Sequence, residues 1–331
     1  MKAILQRLIH HEHLERKEAY EVLLQIAKGN YEPAQVTAFI TVYMMRSITV
    51  SELEGFRDAL QELCIAIDLS AYNTIDLCGT GGDGKDTFNI STLAAFVTAG
   101  AGVNVAKHGN YGVSSGCGSS NVLEALGIQF SNQPDALQRQ IEKAGICVLH
   151  APLFHPALKE VAPIRKALGV KTFFNMLGPL VNPAFPKNQV SGVFNLELAR
   201  LYHYLLQKTE IKYTVLYALD GYDEISLTGP TKAFGSNGEK LIHPADFGLK
   251  PLTHTEIAGG NTVEQSVKIF KNVLEGKGSA AQQQVVCANA AMAIATVLEL
   301  TPQQGYECAV ESLNSGKALK RFKNLQKLSS V

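Results

Sequence analysis

The stretch from residue 78 to residue 91, CGTGGDGKDTFNIS, constrains the fold of this chain more than any other. A short apolar segment at residues 74–78 precedes its glycines, and an apolar helical segment at residues 91–99 follows them. A second predicted strand, at residues 103–107, is likewise followed by a polar loop and a helix at residues 121–126. Strand, loop and helix repeated in this order predict a parallel α/β sheet.

The glycine loop fits two nucleotide-binding motifs, each imperfectly. Gly79 to Gly84 matches the G-x-G-x-x-G dinucleotide fingerprint, but the following strand ends in Lys107 where an acidic residue is expected. Gly84 and Lys85 complete most of a P-loop, but Asp86 occupies the position of the Ser or Thr that binds magnesium. A structural turn between strand and helix is the third interpretation.

The surroundings of the loop favour an anion site. We predict that Ser91 is the N-cap of the following helix, whose free N–H groups and positive dipole end attract phosphate. The next strand ends in Lys107, with Asn110 and Ser119 after it. Ligands of open α/β sheets bind outside the carboxyl ends of the strands, so we expect these groups to meet at one site.

Two other groups of residues carry possible chemistry. Arg165 lies on a helix predicted to begin near Pro156, and a rigid apolar turn at residues 173–183 follows. An arginine beside a buried turn suits a carboxylate ligand, although a solvated helix face is the alternative. Asp223 and Glu224 follow a strand predicted at residues 213–219; they suit Mg²⁺ at the sheet edge, or form an exposed turn.

The organisation of the chain changes near residue 70. Residues 1–70 contain helical patterns only, among them a predicted capping box of Ser51 and Glu54 that opens a helix running to Ile67. We therefore predict an α/β fold class with a small all-helical domain at residues 1–70. A larger α/β domain with a mostly parallel central sheet takes residues 71–331, and residues 156–180 are expected to pack with the helical domain.

Composition narrows the function classes. Thirty Lys and Arg residues balance thirty Asp and Glu residues, which argues against a nucleic-acid partner. No apolar run approaches the length of a membrane span, and the N-terminal residues lack an apolar signal core. The six cysteines form no C-x-x-C pair and are typical of reduced thiols. We expect a cytoplasmic protein with no membrane partner.

Six ordered motifs together resemble the anthranilate phosphoribosyltransferase family. They are GTGGD at 79–83, NIST at 89–92, KHGN at 107–110, HPA at 155–157, FN-x-LGPL-x-NP at 174–183 and DE at 223–224. The similarity continues to PADFGL at 244–249 and NAA at 289–291, and so covers nearly the whole chain. It implies Mg²⁺-dependent transfer of phosphoribose from phosphoribosyl pyrophosphate to anthranilate in tryptophan biosynthesis. The family is usually a homodimer joined through its N-terminal helices.

The resemblance also implies which residues bind each ligand. Residues implied for the phosphoribosyl donor are Gly79, Gly82, Asp83, Thr87, Asn89, Ile90, Ser91, Thr92, Lys107, His108, Gly109, Asn110, Ser114, Ser115 and Ser119. Those implied for anthranilate are Gly79, Asn110 and Arg165, and those for two Mg²⁺ ions are Ser91, Asp223 and Glu224. One loop departs from the family, because Tyr111 and Gly112 stand where many members have Arg-Ser.

Two other classes share features of this sequence. A pyrimidine nucleoside phosphorylase has a related glycine loop, but typically K-H-S where this chain has Lys107-His108-Gly109, and it lacks FN-x-LGPL. A nucleic-acid-binding relative without enzymatic activity is expected to show a basic stripe. No Ser-His-Asp or Cys-His signature stands out, so we expect no protein nucleophile.

Overall fold

A seven-stranded sheet forms the centre of the larger part of the molecule. The computed structural model describes residues 1–112, 117–236 and 238–329, so that the predicted site residues Ser114 and Ser115 lie outside the described ranges. The strands are β1 (Ile75–Gly79), β2 (Val105–Gly109), β3 (Ile146–His150), β4 (Asn188–Gly192), β5 (Lys212–Ala218), β6 (Thr231–Gly235) and β7 (Gly238–Ile242).

The order of the strands creates a crevice at one edge of the sheet. The order is β3-β2-β1-β4-β5-β6-β7, with β1 to β5 parallel to one another and β6 and β7 each antiparallel to its neighbours. The mostly parallel sheet predicted from the sequence is confirmed. The chain moves outward in one direction from β1 to β3 and in the other from β4 to β5. The carboxyl ends of β1 and β4 therefore flank a topological switch point, where ligands of such sheets bind.

Fifteen α-helices in the described ranges surround or adjoin this sheet. They are α1 (Lys2–Ile9), α2 (Arg16–Ala27), α3 (Pro33–Met45), α4 (Val50–Glu62), α5 (Ile90–Gly100), α6 (Ser119–Ala125), α7 (Pro134–Ala144), α8 (Ala151–Phe154), α9 (Ala162–Leu168), α10 (Phe174–Leu177), α11 (Leu196–Leu206), α12 (Val263–Leu274), α13 (Ala280–Leu298), α14 (Pro302–Asn314) and α15 (Lys317–Ser329). Short 3-10 helices occupy Ser70–Tyr72, Pro156–Lys159, Gly178–Leu180, Pro244–Phe247 and His254–Ile257.

Two predicted helix starts are wrong. The capping box of α4 joins Thr49 and Glu52 rather than Ser51 and Glu54, since the Glu52 carboxylate accepts the Thr49 N–H at 2.9 Å. Glu52 also accepts the Leu14 N–H at 3.0 Å and forms an ion pair with Arg46. These contacts hold the capping box two residues before the predicted position. Helix α4 ends at Glu62 and does not reach Ile67.

Helix α5 begins at Ile90 with Asn89 as its N-cap, so Ser91 is not the cap residue. Neither Asn89 nor Ser91 closes this helix end through its side chain. The Asn89 amide instead donates to the Cys117 carbonyl at 3.0 Å, and the Ser91 N–H donates to Glu224 at 3.0 Å. The start of α5 is thus held by groups from other parts of the chain.

The N-terminal helices α1 to α4 share a core with residues from the middle of the sequence. Phe173 stacks on Phe56 with ring centroids 4.8 Å apart and meets Tyr43 at 5.3 Å and Phe39 at 6.1 Å. Segment 156–180 therefore contacts the helical bundle, while the division of the chain at residue 70 stays a prediction. The single helix predicted near Pro156 is in fact a 3-10 turn followed by α9.

The larger core lies on the other face of the sheet around α5. Ten of the eleven residues of α5 are buried, and α13, α14 and α15 pack against it. Within the described ranges no single helix combines the length and apolar character of a membrane span, although α13 and α14 meet those criteria together as a bent pair.

Candidate active site

One cavity lies between the switch point of the sheet and segment 156–180. Its volume is about 420 Å³, and its floor is formed by the ends of β1 and β2 and by Asp223 and Glu224, which follow β5 in the chain. The glycine loop and the start of α5 form one wall, and α9, α10 and the following turn form the other. The helical bundle supports this second wall through Phe173. The cavity therefore brings together residues that are more than 140 positions apart in sequence.

Asp223 and Glu224 hold the carboxyl edge of the sheet together. Asp223 is buried, and its Oδ2 accepts the Gly81 N–H at 2.6 Å. Glu224 Oε1 accepts the Ser91 N–H at 3.0 Å, whereas its buried Oε2 has no hydrogen-bond partner within the described residues. Burial raises the pKa of both carboxyls; the charge of Asp83 adds to this effect at Asp223, and the charge of Asp223 adds to it at Glu224. An ion of opposite charge would stabilise this pair.

Glycines permit the carboxylates to approach the strand ends. A Cβ atom on Gly192 would lie 1.5 Å from the Asp223 carbonyl oxygen, and one on Gly79 would lie 2.3 Å from Asp223 Oδ2. Gly82, with φ of +80°, turns the loop back over the site in a conformation that other residues rarely adopt. The glycines of the opening motif therefore serve close backbone approach and chain reversal.

The end of β2 contributes a buried cation. Lys107 is 2% exposed, and its Nζ donates to the Leu77 carbonyl at 2.6 Å. Asp76 lies fully buried on β1 nearby, where its Oδ1 accepts the His108 N–H at 3.1 Å. Burial raises the pKa of Asp76 to about 6, and the charge of Lys107 opposes this effect. Lys107 is thus directed to the edge of the site by a carbonyl and a buried carboxyl.

Two neutral imidazoles line the cavity beside Lys107. The rings of His108 and His155 are 5.3 Å apart, and both residues are 3% exposed. Burial lowers the pKa of His108 to about 3 and that of His155 to about 4. His108 Nδ1 lies 3.1 Å from the Gly178 carbonyl, while both ring nitrogens of His155 are buried without a partner in the described part of the chain. Both rings are therefore uncharged polar groups in the wall of the cavity.

The loop after Lys107 is closed at its base by two asparagines. The Asn121 side-chain oxygen accepts the Gly112 N–H at 2.9 Å and the Gly118 N–H at 3.0 Å. The Asn110 carbonyl accepts the Ser119 hydroxyl at 3.2 Å. Tyr111, which departs from the family pattern, packs edge-on against His150 with centroids 4.8 Å apart. The Tyr111 ring is therefore part of the rim.

Arg165 approaches from the opposite wall. It extends from α9, its guanidinium carbon lies 5.4 Å from the centroid of the Phe174 ring, and Nη2 lies 3.5 Å from Asn175 Oδ1. Burial lowers the pKa of Arg165, and no carboxylate within the described residues forms an ion pair with it. A partly buried guanidinium on an aromatic ring is suited to bind a planar anion such as a carboxylate.

The structure brings nearly all of the predicted site residues to this one cavity. The described residues that line it are Gly79, Gly82, Asp83, Thr87, Asn89, Ser91, Thr92, Lys107, His108, Gly109, Asn110, Ser119, Arg165, Asp223 and Glu224. Ile90 differs, because its side chain is buried in the main core and is absent from the described lining. Lys171 also lines the cavity and was not predicted; its position just before the FN-x-LGPL turn was the available signal.

Two family models match this chain. Residues 71–319 match the a/b domain of a glycosyl transferase family, and residues 2–64 match the helical bundle domain of the same family. The predicted fold class, a helical domain joined to a larger α/β domain, is therefore confirmed.

Individual relatives carry a more specific name. The chain is 67% identical to an anthranilate phosphoribosyltransferase of Flavobacterium johnsoniae and 56% identical to that of Cytophaga hutchinsonii, each over 99% of this chain and 100% of the relative. The structure superposes on the crystal structure of the Thermus thermophilus enzyme with a TM-score of 0.92 and 32% identity, over 99% of both chains. The Saccharomyces cerevisiae enzyme in complex with PRPP and Mg gives a TM-score of 0.91 and 26% identity, over 98% of this chain and 96% of that one. The chain belongs to the anthranilate phosphoribosyltransferase family.

Proposed function

We propose that this cavity transfers the phosphoribosyl group of phosphoribosyl pyrophosphate to the amine of anthranilate, releasing pyrophosphate, as a step of tryptophan biosynthesis. The observation that carries the proposal is the arrangement of opposite charges across one cavity. The carboxylates Asp223 and Glu224 lie at the switch point of the sheet, and Arg165 lies on the facing wall. Family membership supports the same reaction.

The donor occupies the side of the cavity formed by the sheet. The positive end of the α5 dipole lies at this side of the cavity and favours anionic oxygens, and Lys107 adds a positive charge. Hydroxyls of Thr87, Ser91 and Ser119 lie around the same space. These groups hold the phosphates of the donor so that its anomeric carbon faces the opposite wall.

The acidic residues fit Mg²⁺. The carboxylates of Asp223 and Glu224, the second with an orphaned buried oxygen, and the Ser91 hydroxyl are the hard oxygen ligands this ion prefers. Within the described residues no three His, Cys, Asp or Glu side chains are arranged to hold a metal ion by themselves, so oxygens of the donor would complete the coordination of two ions. When bound, Mg²⁺ neutralises the charge that develops on the departing pyrophosphate. Asp223 and Glu224 fix where that neutralisation takes place.

Arg165 orients the acceptor. Its guanidinium binds the anthranilate carboxylate, which directs the neighbouring amine across the cavity toward the anomeric carbon. Gly79 and Asn110 line the space between the two substrates. The amine is the nucleophile: its nitrogen bonds to carbon while the C–O bond to pyrophosphate breaks. The oxygen of the leaving group keeps that electron pair, and the amine loses a proton to water.

The thiols near the cavity do not supply an alternative nucleophile. Burial raises the pKa of Cys78 to about 12 and raises that of Cys117. Both thiols are therefore protonated at neutral pH and react poorly. Stabilisation of charge and positioning of two substrates account for the reaction.

One assay distinguishes this function from the two alternatives, neither of which the comparisons support. Anthranilate fluorescence is followed with the donor and Mg²⁺ present. We expect fluorescence to fall only when the donor, Mg²⁺ and the protein are combined. The same preparation should not cleave thymidine in the presence of phosphate, and should not bind DNA in a salt-sensitive manner. Thymidine cleavage or DNA binding without transfer would contradict the proposal.

We also propose a cytoplasmic homodimer that associates through the N-terminal helices. Ile9, Met44 and Met45 are exposed by 62%, 42% and 82%, and they come from α1 and α3, which contact each other. Exposed apolar side chains grouped on neighbouring helices are typical of subunit contacts. The six free thiols suit a reducing compartment.

A further inference from the structure

Lys171 lies over the glycine loop and belongs to none of the residue groups proposed to bind the donor, anthranilate or Mg²⁺. Its exposed side chain extends from the segment between α9 and α10, and its Nζ donates to the Gly82 carbonyl. Its Cδ, Cε and Nζ atoms lie 3.1–3.2 Å from the position that a Cβ on residue 82 would take. Nζ is also 5.8 Å from the centroid of the Phe194 ring. The ammonium is thus held at the mouth of the cavity.

Of the lysine and arginine side chains that the described lining contains, Lys171 is the one free to exchange its partner. Lys107 is buried against the Leu77 carbonyl, and Arg165 is enclosed between Phe174 and Asn175. The contact that Lys171 makes is to a neutral carbonyl, and its side chain is exposed to solvent. A lysine on a flexible stem can leave such a contact at small cost.

The negative charge of the cavity favours a contact between Lys171 and a bound diphosphate. Its described lining includes the four carboxylates of Asp83, Asp86, Asp223 and Glu224. A diphosphate beside the glycine loop would be repelled by these carboxylates. A nearby cation would therefore stabilise the bound diphosphate. A hydrogen bond from an ammonium to a phosphate oxygen is about twice as strong as one between neutral groups.

We propose that Lys171 leaves the Gly82 carbonyl when the donor binds and donates instead to its diphosphate. This inference rests on the proposed function and adds a residue that holds the leaving group. As the C–O bond at the anomeric carbon breaks, its electron pair passes to the diphosphate oxygen, and the ammonium of Lys171 lies beside the charge that results. The side chain closes the glycine loop in the free enzyme and binds pyrophosphate in the complex.

Replacement by methionine tests the proposal. Lys171→Met keeps most of the stem and removes the charge, so we expect the Kd for pyrophosphate with Mg²⁺ to rise about tenfold or more in calorimetric titrations. The KM for anthranilate should change less than about twofold. Lys171→Arg should recover most of the affinity. The matched control is Lys166→Met, which removes the same charge from an exposed position on α9 outside the described lining and should leave the Kd unchanged.

Two results would overturn the role of Lys171. One is an unchanged Kd for pyrophosphate in Lys171→Met. The other is an equal rise of the KM for both substrates together with a lower unfolding midpoint, which is what a merely structural contact predicts. Because pyrophosphate binding is measured without anthranilate, a wild-type enzyme that fails to transfer would contradict the proposed function and leave the binding comparison valid.

Discussion

Arg165 is the residue whose replacement best separates the two substrates. In Arg165→Ala we expect the KM for anthranilate to rise about tenfold or more, because a charge-assisted contact to the carboxylate is lost. The KM for the donor should change little, since Arg165 lies on the wall opposite α5. Arg165→Lys keeps the charge without the bidentate geometry and should give an intermediate value. Steady-state kinetics with each substrate varied would detect an equal change in both constants, which would refute the carboxylate role.

Asp223 and Glu224 are proposed to bind Mg²⁺, and their buried charges lower the stability of the metal-free fold. In the double variant Asp223→Asn and Glu224→Gln we expect Mg²⁺-dependent turnover to fall about 100-fold or more. Folding should persist, and without Mg²⁺ the unfolding midpoint at neutral pH should be equal or higher, because the buried like charges are removed. Retained turnover in the double variant would disprove the metal assignment.

The raised pKa values of Asp223 and Glu224 determine how the stability of the fold depends on pH. The pKa of each carboxyl is raised in the folded state above its ordinary value of 3.8 or 4.5. The two carboxyls therefore stabilise the folded state when the pH is below their ordinary pKa values. This stabilisation is lost as the pH rises through the pKa of the folded state. Thermal unfolding of the metal-free wild type and of the double variant across pH 4 to 8 should show a decline specific to the wild type.

At the scale of elements, the ends of β1, β4 and β5 must meet closely. Gly192→Ala would place a methyl group 1.5 Å from the Asp223 carbonyl oxygen, so the carboxylate loop must shift. We expect a loss of about 1–3 kcal/mol in stability and a weaker response of activity to Mg²⁺. Gly229→Ala is the control, because its Cβ would come no closer than 3.9 Å to Asp220 Oδ2. Equal effects in the two variants would show that the approach at Gly192 is not critical.

The elements also show what the sequence can predict. Apolar strands bounded by glycine, such as β1, are predicted, since their local patterns match their surroundings in the fold. Local chemistry predicts Ser91 as the N-cap of α5, whereas Glu224 accepts the Ser91 N–H from 133 positions away. The sequence predicts the capping box of α4 at Ser51, whereas Arg46 and Leu14 hold Glu52. At α5 a contact between distant residues overrides the local preference. At α4, Thr49 and Glu52 form an equally good local box, and the Leu14 contact favours it.

At the scale of the whole molecule, the motifs predicted the composition of the site better than its geometry. The motifs predict a site that contains Lys107, Arg165 and the two carboxylates. Their placement on opposite walls follows from the strand order instead. Lys171 had no motif of its own, and its contact with Gly82 depends on how segment 156–180 packs on the helical bundle. Such packing is set by tertiary contacts such as that of Phe173 with Phe56.

The proposed dimer is also tested at this scale. Sedimentation equilibrium should give twice the mass of one chain for the wild type. Ile9→Glu combined with Met45→Glu should give the mass of a single chain, because buried unpaired charges destabilise an interface. Ile9 and Met45 are exposed and lie outside the described lining of the cavity, so the variant should retain most of its turnover. A wild-type protein with the mass of one chain would contradict the proposal.

The central claim is that two substrates meet in one cavity and react directly. Initial rates measured with both substrates varied in the presence of Mg²⁺ test it most directly. We predict intersecting double-reciprocal lines and no exchange of labelled pyrophosphate into the donor when anthranilate is absent. Parallel lines together with such exchange would reveal a covalent phosphoribosyl-enzyme and contradict the account.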